Sequence, residues 1–87
     1  MKLAFTQNSW ADYLWFQEYE PKLLKRINDL IKDIQRNPFT GIGKPEPLKA
    51  NLAGYWSRRI NTEHRLVYKV TDSEIIFASF KFHYSKH

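Results

Sequence analysis

The sequence predicts an α+β domain in which two N-terminal helices pack on a twisted antiparallel sheet of about four to five strands. Three observations lead there. Leu23, Ile27, Leu30 and Ile34 recur at helical spacing, and Leu24 and Ile31 widen the apolar stripe. The second half instead alternates apolar and polar residues over segments 55–60, 64–70 and 74–84, which is the period of half-buried strands. Finally, 87 residues suffice for one modest core and not for a second, so 1–87 reads as a single domain.

Each element has a local cause. Residues 2–6 read as a short strand, and Ser9 offers an N-cap oxygen to a helix opening at Trp10, with Asp12 at capping-box spacing. The second helix begins near Pro21, whose missing N–H is harmless in a first turn. It stops before Pro38, which disfavours helical geometry at Asn37. Between 39 and 47, Gly41, Gly43, Pro45 and Pro47 mark an irregular loop inside the domain. The later strands are separated by Asn61, Thr62, Glu63 and by Thr71, Asp72, Ser73, which carry turn chemistry.

Parity sets the expected register. With Trp56 and Ile60 turned to the core beside Leu66, Tyr68 and Val70, the side chains of Ser57, Arg59, Arg65 and Lys69 fall on the opposite face. In the last segment, alternation puts Ile76, Ala78, Phe80 and Phe82 on the core side, and Lys81 and His83 with the cations. One sheet face packs on the helices, and the other is solvated and basic.

Charge points the same way. Fourteen Lys and Arg stand against nine Asp and Glu, a formal net charge of +5 that favours polyanionic partners such as RNA or DNA. The acidic residues lie mostly before Pro47, whereas Lys49, Arg58, Arg59, Arg65, Lys69, Lys81 and Lys86 follow it, so the positive field is expected on the C-terminal half. The absence of cysteine excludes a disulfide framework and a thiolate metal site. No secretory leader pattern and no run of about 18 apolar residues occurs, and the expectation is a cytoplasmic protein without a membrane partner. Gly41, Gly43 and Lys44 do not make a phosphate loop, because Pro45 follows the lysine and no helix opens there.

A basic sheet face ending in a titratable histidine suits cleavage of RNA by its own 2′-hydroxyl. That reaction needs a base for the hydroxyl proton, cations for charge building on phosphorus, and an acid for the leaving 5′ oxygen; neither a cofactor nor a metal is required. His83 is the natural acid. Arg59, Arg65 and Lys49 supply charge stabilisation. Glu46, held between Pro45 and Pro47, is the best-placed carboxylate, though a free glutamate with a pKa of about 4.3 needs burial or a proton network to act at neutral pH. Taken singly, each residue also has an ordinary role: Glu46 as a solvated loop carboxylate, His83 as an exposed imidazole, and Arg59 and Arg65 as strand arginines covering apolar surface. Trp10, Tyr13 and Trp15 read as core or partner interface, and His64 and His87 are assigned no function.

Taken together, the residues resemble a known family. The run Gly41, Ile42, Gly43, Lys44, Pro45, Glu46, Pro47, Leu48, Lys49 is similar to the loop of YoeB toxins in the RelE/ParE superfamily. Gly54, Tyr55, Trp56, Ser57, Arg58, Arg59, Ile60 also match, as do Glu63, His64, Arg65, Leu66, Val67, Tyr68 and the final His83, Tyr84. The resemblance spans essentially the whole chain, including Ser9, Trp10, Asp12, Tyr13 and Leu14. It implies a RelE-like, microbial-ribonuclease-like fold and the toxin of a type II toxin–antitoxin pair. The implied activity is ribosome-dependent endoribonuclease cleavage of mRNA in the A site. Implied partners are the ribosome with its mRNA, a second copy in a homodimer, and a YefM-like antitoxin through which operator DNA is contacted.

Carried over by position, Glu46 is similar to the general base, His83 to the general acid, and Arg65 to the group that stabilises the transition state. Lys49 and Arg59 assist on phosphate, and Tyr84 lines the site. Phe82 departs from the tyrosine expected there, and Ser85, Lys86 and His87 extend beyond the usual end. The competing reading is non-catalytic: an inhibitor of another protein or a DNA-binding co-repressor on the same scaffold. Relatives that work so tend to lack the carboxylate, arginine and histidine set. The same resemblance leads to the expectation that an acidic antitoxin segment lies across the cationic face and displaces the C-terminal strand end.

Overall fold

The structure, a computed structural model, describes residues 1–81. In chain order these form β1 (Lys2–Phe5), α1 (Gln7–Tyr19), α2 (Pro21–Arg36), β2 (Glu46–Pro47), a 3₁₀ turn (Ala50–Leu52), β3 (Trp56–Arg59), β4 (Arg65–Val70) and β5 (Glu74–Ser79). The sheet order is β1-β5-β4-β3-β2. Both helices pack on one face, burying Phe16 of α1 and Ile27, Leu30, Ile31 and Ile34 of α2 against Leu66, Tyr68, Ile75 and Phe77. The apolar stripe predicted for α2 is therefore the one that is buried.

The sheet is mixed rather than antiparallel throughout. β2, β3, β4 and β5 pair antiparallel in succession, while β1 pairs parallel with β5, Leu3 opposite Ile75 and Phe5 opposite Phe77. The two helices carry the chain away after β1, and antiparallel hairpins return it so that the last strand runs beside the first in the same direction.

α1 begins three residues earlier than its sequence suggests. Thr6 is the N-cap: its Oγ1 accepts from Ser9 N at 3.0 Å. Ser9 is wholly buried and donates back to Thr6 O at 3.2 Å, so it closes the first turn instead of preceding it. Asp12 is equally diverted from capping: its Oδ2 accepts from Phe80 N at 2.9 Å, just past the end of β5.

The parity expected for β5 fails over its first half. Ile75 and Phe77 are buried, not Ile76 and Ala78, because Val67 pairs with Ser79 while the next residue, Tyr68, pairs with Phe77. Ala78 is thus an extra residue on β5. A bulge exchanges the faces on either side of it, which returns Phe80 to the core as expected. Lys81 lies with its Nζ 4.0 Å from the centre of the Trp15 ring on α1 and does not extend the basic row of β4.

Candidate functional site

The face opposite the helices is built by register. Glu46 pairs with Ser57, Ser57 with Val67, and Arg59 with Arg65, so these side chains share one side of the sheet with Lys69. Arg65 Nη1 lies 3.7 Å from Glu46 Oε1, reaching across β3. The two ends differ in environment: the Arg65 side chain is 15% exposed and that of Glu46 59%. Arg65 Nε and Ser57 Oγ are buried and make no hydrogen bond among the described residues. Lys69 Nζ packs 5.2 Å from the centre of the Tyr55 ring on the same face.

Of the residues singled out in the sequence, Glu46, Arg59 and Arg65 are brought together. Lys49 is exposed, two residues past β2 at the start of the 3₁₀ turn. His83 and Tyr84, with Phe82, lie outside the described residues.

Arg58 does not join the cationic face. It is wholly buried on the helix side, where all five of its N–H groups are taken. Nε donates to Tyr68 OH at 3.1 Å. Nη1 donates to Asp33 Oδ2 at 2.6 Å and to Ile42 O at 3.1 Å; Nη2 donates to Asn37 O at 2.6 Å and to Thr40 O at 3.1 Å. Tyr68 OH in turn donates to Pro38 O at 2.6 Å, and Asp33 Oδ2 also accepts from Ile42 N at 3.0 Å. The hydrogen bond from Arg58, with that from Ile42, holds the Asp33 carboxyl below its ordinary range, while burial pushes the Tyr68 phenol up. The loop leading to Glu46 is thus fastened from beneath by a charged core residue.

Two glycines make that close approach possible. Gly41 has φ 130° and Gly43 φ 81°. A Cβ on Gly41 collides with the Asp33 carboxylate, and one on Gly43 comes 2.8 Å from Leu30 Cδ2. The sequence marks the glycines only as loop punctuation and places Arg58 among the cations that could share one surface, which its burial corrects: the core parity assigned to Trp56 and Ile60 also applies to the residue between them in phase, Arg58.

His64 is buried, with its ring 5.0 Å from that of Phe16 and 6.2 Å from that of Trp15. Burial pushes its pKa down, with nearby Glu63 opposing that shift in part. No function is assigned to this residue from its sequence context, and its place is in the packing against α1.

A family model described as "YoeB-like toxin of bacterial type II toxin-antitoxin system" matches residues 5–84. Toxin YoeB of Synechocystis sp. is 67% identical over 86 residues, which is 99% of this chain and 100% of the relative. Among solved structures, a YoeB/ParE toxin from Agrobacterium tumefaciens superposes with a TM-score of 0.94 at 50% identity, covering 97% of this chain and 100% of the other. YoeB of Staphylococcus aureus, 53% identical, was solved as a dimer (TM-score 0.90) and in a heterotetrameric complex with YefM (0.88). Each covers 97% of this chain and 98% of its own.

Proposed function

The chain belongs to the YoeB-like toxins of bacterial type II toxin–antitoxin systems, and from that membership we propose that it is a ribosome-dependent endoribonuclease that cleaves mRNA in the A site. In this reading the Glu46 carboxylate takes the proton of the RNA 2′-hydroxyl as its oxygen attacks the adjacent phosphorus. His83 gives a proton to the departing 5′ oxygen, leaving a 2′,3′-cyclic phosphate on the upstream fragment. Arg65 stabilises the charge on the non-bridging oxygens, Arg59 and Lys49 hold flanking phosphates, and Tyr84 lines the site.

The observation that carries the proposal is the pairing of Glu46 with Arg65. A carboxylate and a largely buried guanidinium stand 3.7 Å apart on one sheet face, too far for a hydrogen bond between them. A phosphate oxygen can therefore enter beside the arginine without first breaking a tight ion pair. A guanidinium edge suits two phosphate oxygens at once.

The dimer and the YefM complex of the S. aureus relative support a homodimer and a YefM-like antitoxin as this chain's partners, with operator DNA reached through that antitoxin. Primer extension on ribosome-bound mRNA tests the activity. Cut sites are expected only with ribosomes, and Glu46→Ala or His83→Ala should lower the rate by about 10²–10⁴. Undiminished cutting by either variant overturns that residue's role. Absence of any cut site with ribosomes present overturns the nuclease reading in favour of a binding module.

A further inference from the structure

The geometry points to Arg58, Asp33 and Tyr68 as positioning residues for Glu46, acting through the loop that precedes it; the inference rests on Glu46 being the base. Three consecutive residues of β3 hold this loop. The Ser57 backbone pairs with Glu46 itself, Arg59 N donates to Gly43 O at 2.7 Å, and between them the Arg58 side chain takes the carbonyls of Asn37, Thr40 and Ile42. Asp33 and Tyr68 complete the set by holding Arg58 and, independently, Ile42 N and Pro38 O.

This support matters because β2 is only two residues long, and such a ladder fixes little by itself. Pro45 and Pro47 on either side of Glu46 contribute no N–H to it. The preceding Lys44 sits at φ 53°, a conformation that a lysine keeps only where its surroundings impose it. With the loop fastened at Asn37, Pro38, Thr40, Ile42 and Gly43, the chain reaches Lys44 from a fixed point and direction. The carboxylate of Glu46 then meets its substrate with little freedom left to lose, which is where general-base catalysis gains. Arg58 and Asp33 lie on the helix side of the sheet and touch no RNA; their effect passes through the backbone of residues 37–46.

The test compares cleavage rates on programmed ribosomes in the wild-type and Glu46→Ala backgrounds. Asp33→Ala removes both acceptor functions and is expected to lower kcat about tenfold with KM changed less than about twofold, as a misplaced base would. Asp33→Asn keeps the volume and an acceptor oxygen, and should recover most of that loss. In the Glu46→Ala background, Asp33→Ala should cost less than about twofold, because there is no base left to misplace. Tyr68→Phe, which deletes only the hydroxyl link to Pro38 and Arg58, gives the same comparison if Asp33→Ala does not fold. Losses that multiply in the two backgrounds, or wild-type kcat in folded Asp33→Ala and Tyr68→Phe, overturn the inference while leaving the nuclease reading intact. If Glu46→Ala itself cuts normally, the assignment of the base fails and this inference fails with it.

Discussion

Asp12 and Phe80, 68 residues apart in the chain, are joined by a hydrogen bond of 2.9 Å from the Phe80 amide to Asp12 Oδ2. The bond lies just past Ser79, where β5 has run out of partner strand. Thr6 Oγ1 and Asn8 Nδ2 donate to the neighbouring Ala78 O, so side chains at the start of α1 take over from the ladder. Asp12→Ala should therefore destabilise the fold by about 1.5–3 kcal/mol, the range for a hydrogen bond to a charged group, and Asp12→Asn by less. Urea unfolding of the pair checks this; equal stability of Asp12→Ala and wild type contradicts it.

Arg58 presents a larger case. Replacing it by Met leaves Asp33 without its counter-charge and strips donors from Asn37, Thr40 and Ile42. A loss of about 3–5 kcal/mol is expected, near the lower end because Asp33 keeps 19% exposure. Chemical denaturation should show the midpoint falling by a large fraction of the total stability.

The same pair makes the fold acid-sensitive. The carboxyl of Asp33 is held below its ordinary value of 3.8, first by the hydrogen bond from Arg58. A depressed folded-state pKa stabilises above the unfolded value, and that contribution fades as pH drops below about 4 through the folded value. Between pH 5 and about pH 2, Asp33→Asn should lose stability less steeply than wild type. Parallel curves would show that Asp33 does not carry this dependence.

His64 acts at milder pH. Burial lowers its pKa from 6.5, so the unfolded chain binds the proton more readily than the folded one. Stability from this group is complete above 6.5 and declines as pH falls toward the lower folded value. Thermal unfolding between about pH 7.5 and 5.5 should show Tm falling in wild type and flattening in His64→Gln.

Gly41→Ala brings a Cβ onto the Asp33 carboxylate at φ 130°, where side chains are rarely tolerated, and Asp33 cannot turn aside without giving up Arg58 and Ile42 N. A cost above about 1 kcal/mol is expected, together with weaker mRNA cleavage because the displaced loop carries Glu46. Gly54→Ala serves as the comparison: its φ of 97° is also left-handed, but nothing lies within 4 Å of the added carbon. Its effect should be confined to backbone strain, with cleavage per folded molecule retained.

Helical and strand periods sufficed for α2, β3 and β4, because each element turns one face to the helix-side core and must repeat the residues of that face at its own spacing, although the other face of β3 and β4 is itself covered at Ser57 and Val67. The Glu46, Arg59 and Arg65 grouping was legible for the same reason, since cross-strand parity aligns side chains once the strands are placed. Local reading failed where a distant group competes. Ser9 and Thr6 are both good caps by chemistry, and Thr6 prevails because the chain leaves β1 one residue before it. The bulge at Ala78 could not be seen in β5 alone, since it is a mismatch with β4.

The fold class, the amphipathic face of α2, the shared face of Glu46, Arg59 and Arg65 and the family were thus readable in the chain alone, because these depend on local period and motif spacing. Tertiary structure alone decided that β1 runs parallel to β5 and that Arg58 lies in the core rather than among the surface cations. A buried guanidinium is tolerable only when all its donors are met, and its partners, Asp33, Asn37, Thr40, Ile42 and Tyr68, come from three separate stretches of chain. No local spacing encodes that meeting; it exists once α2, the glycine loop and the sheet have closed around one point.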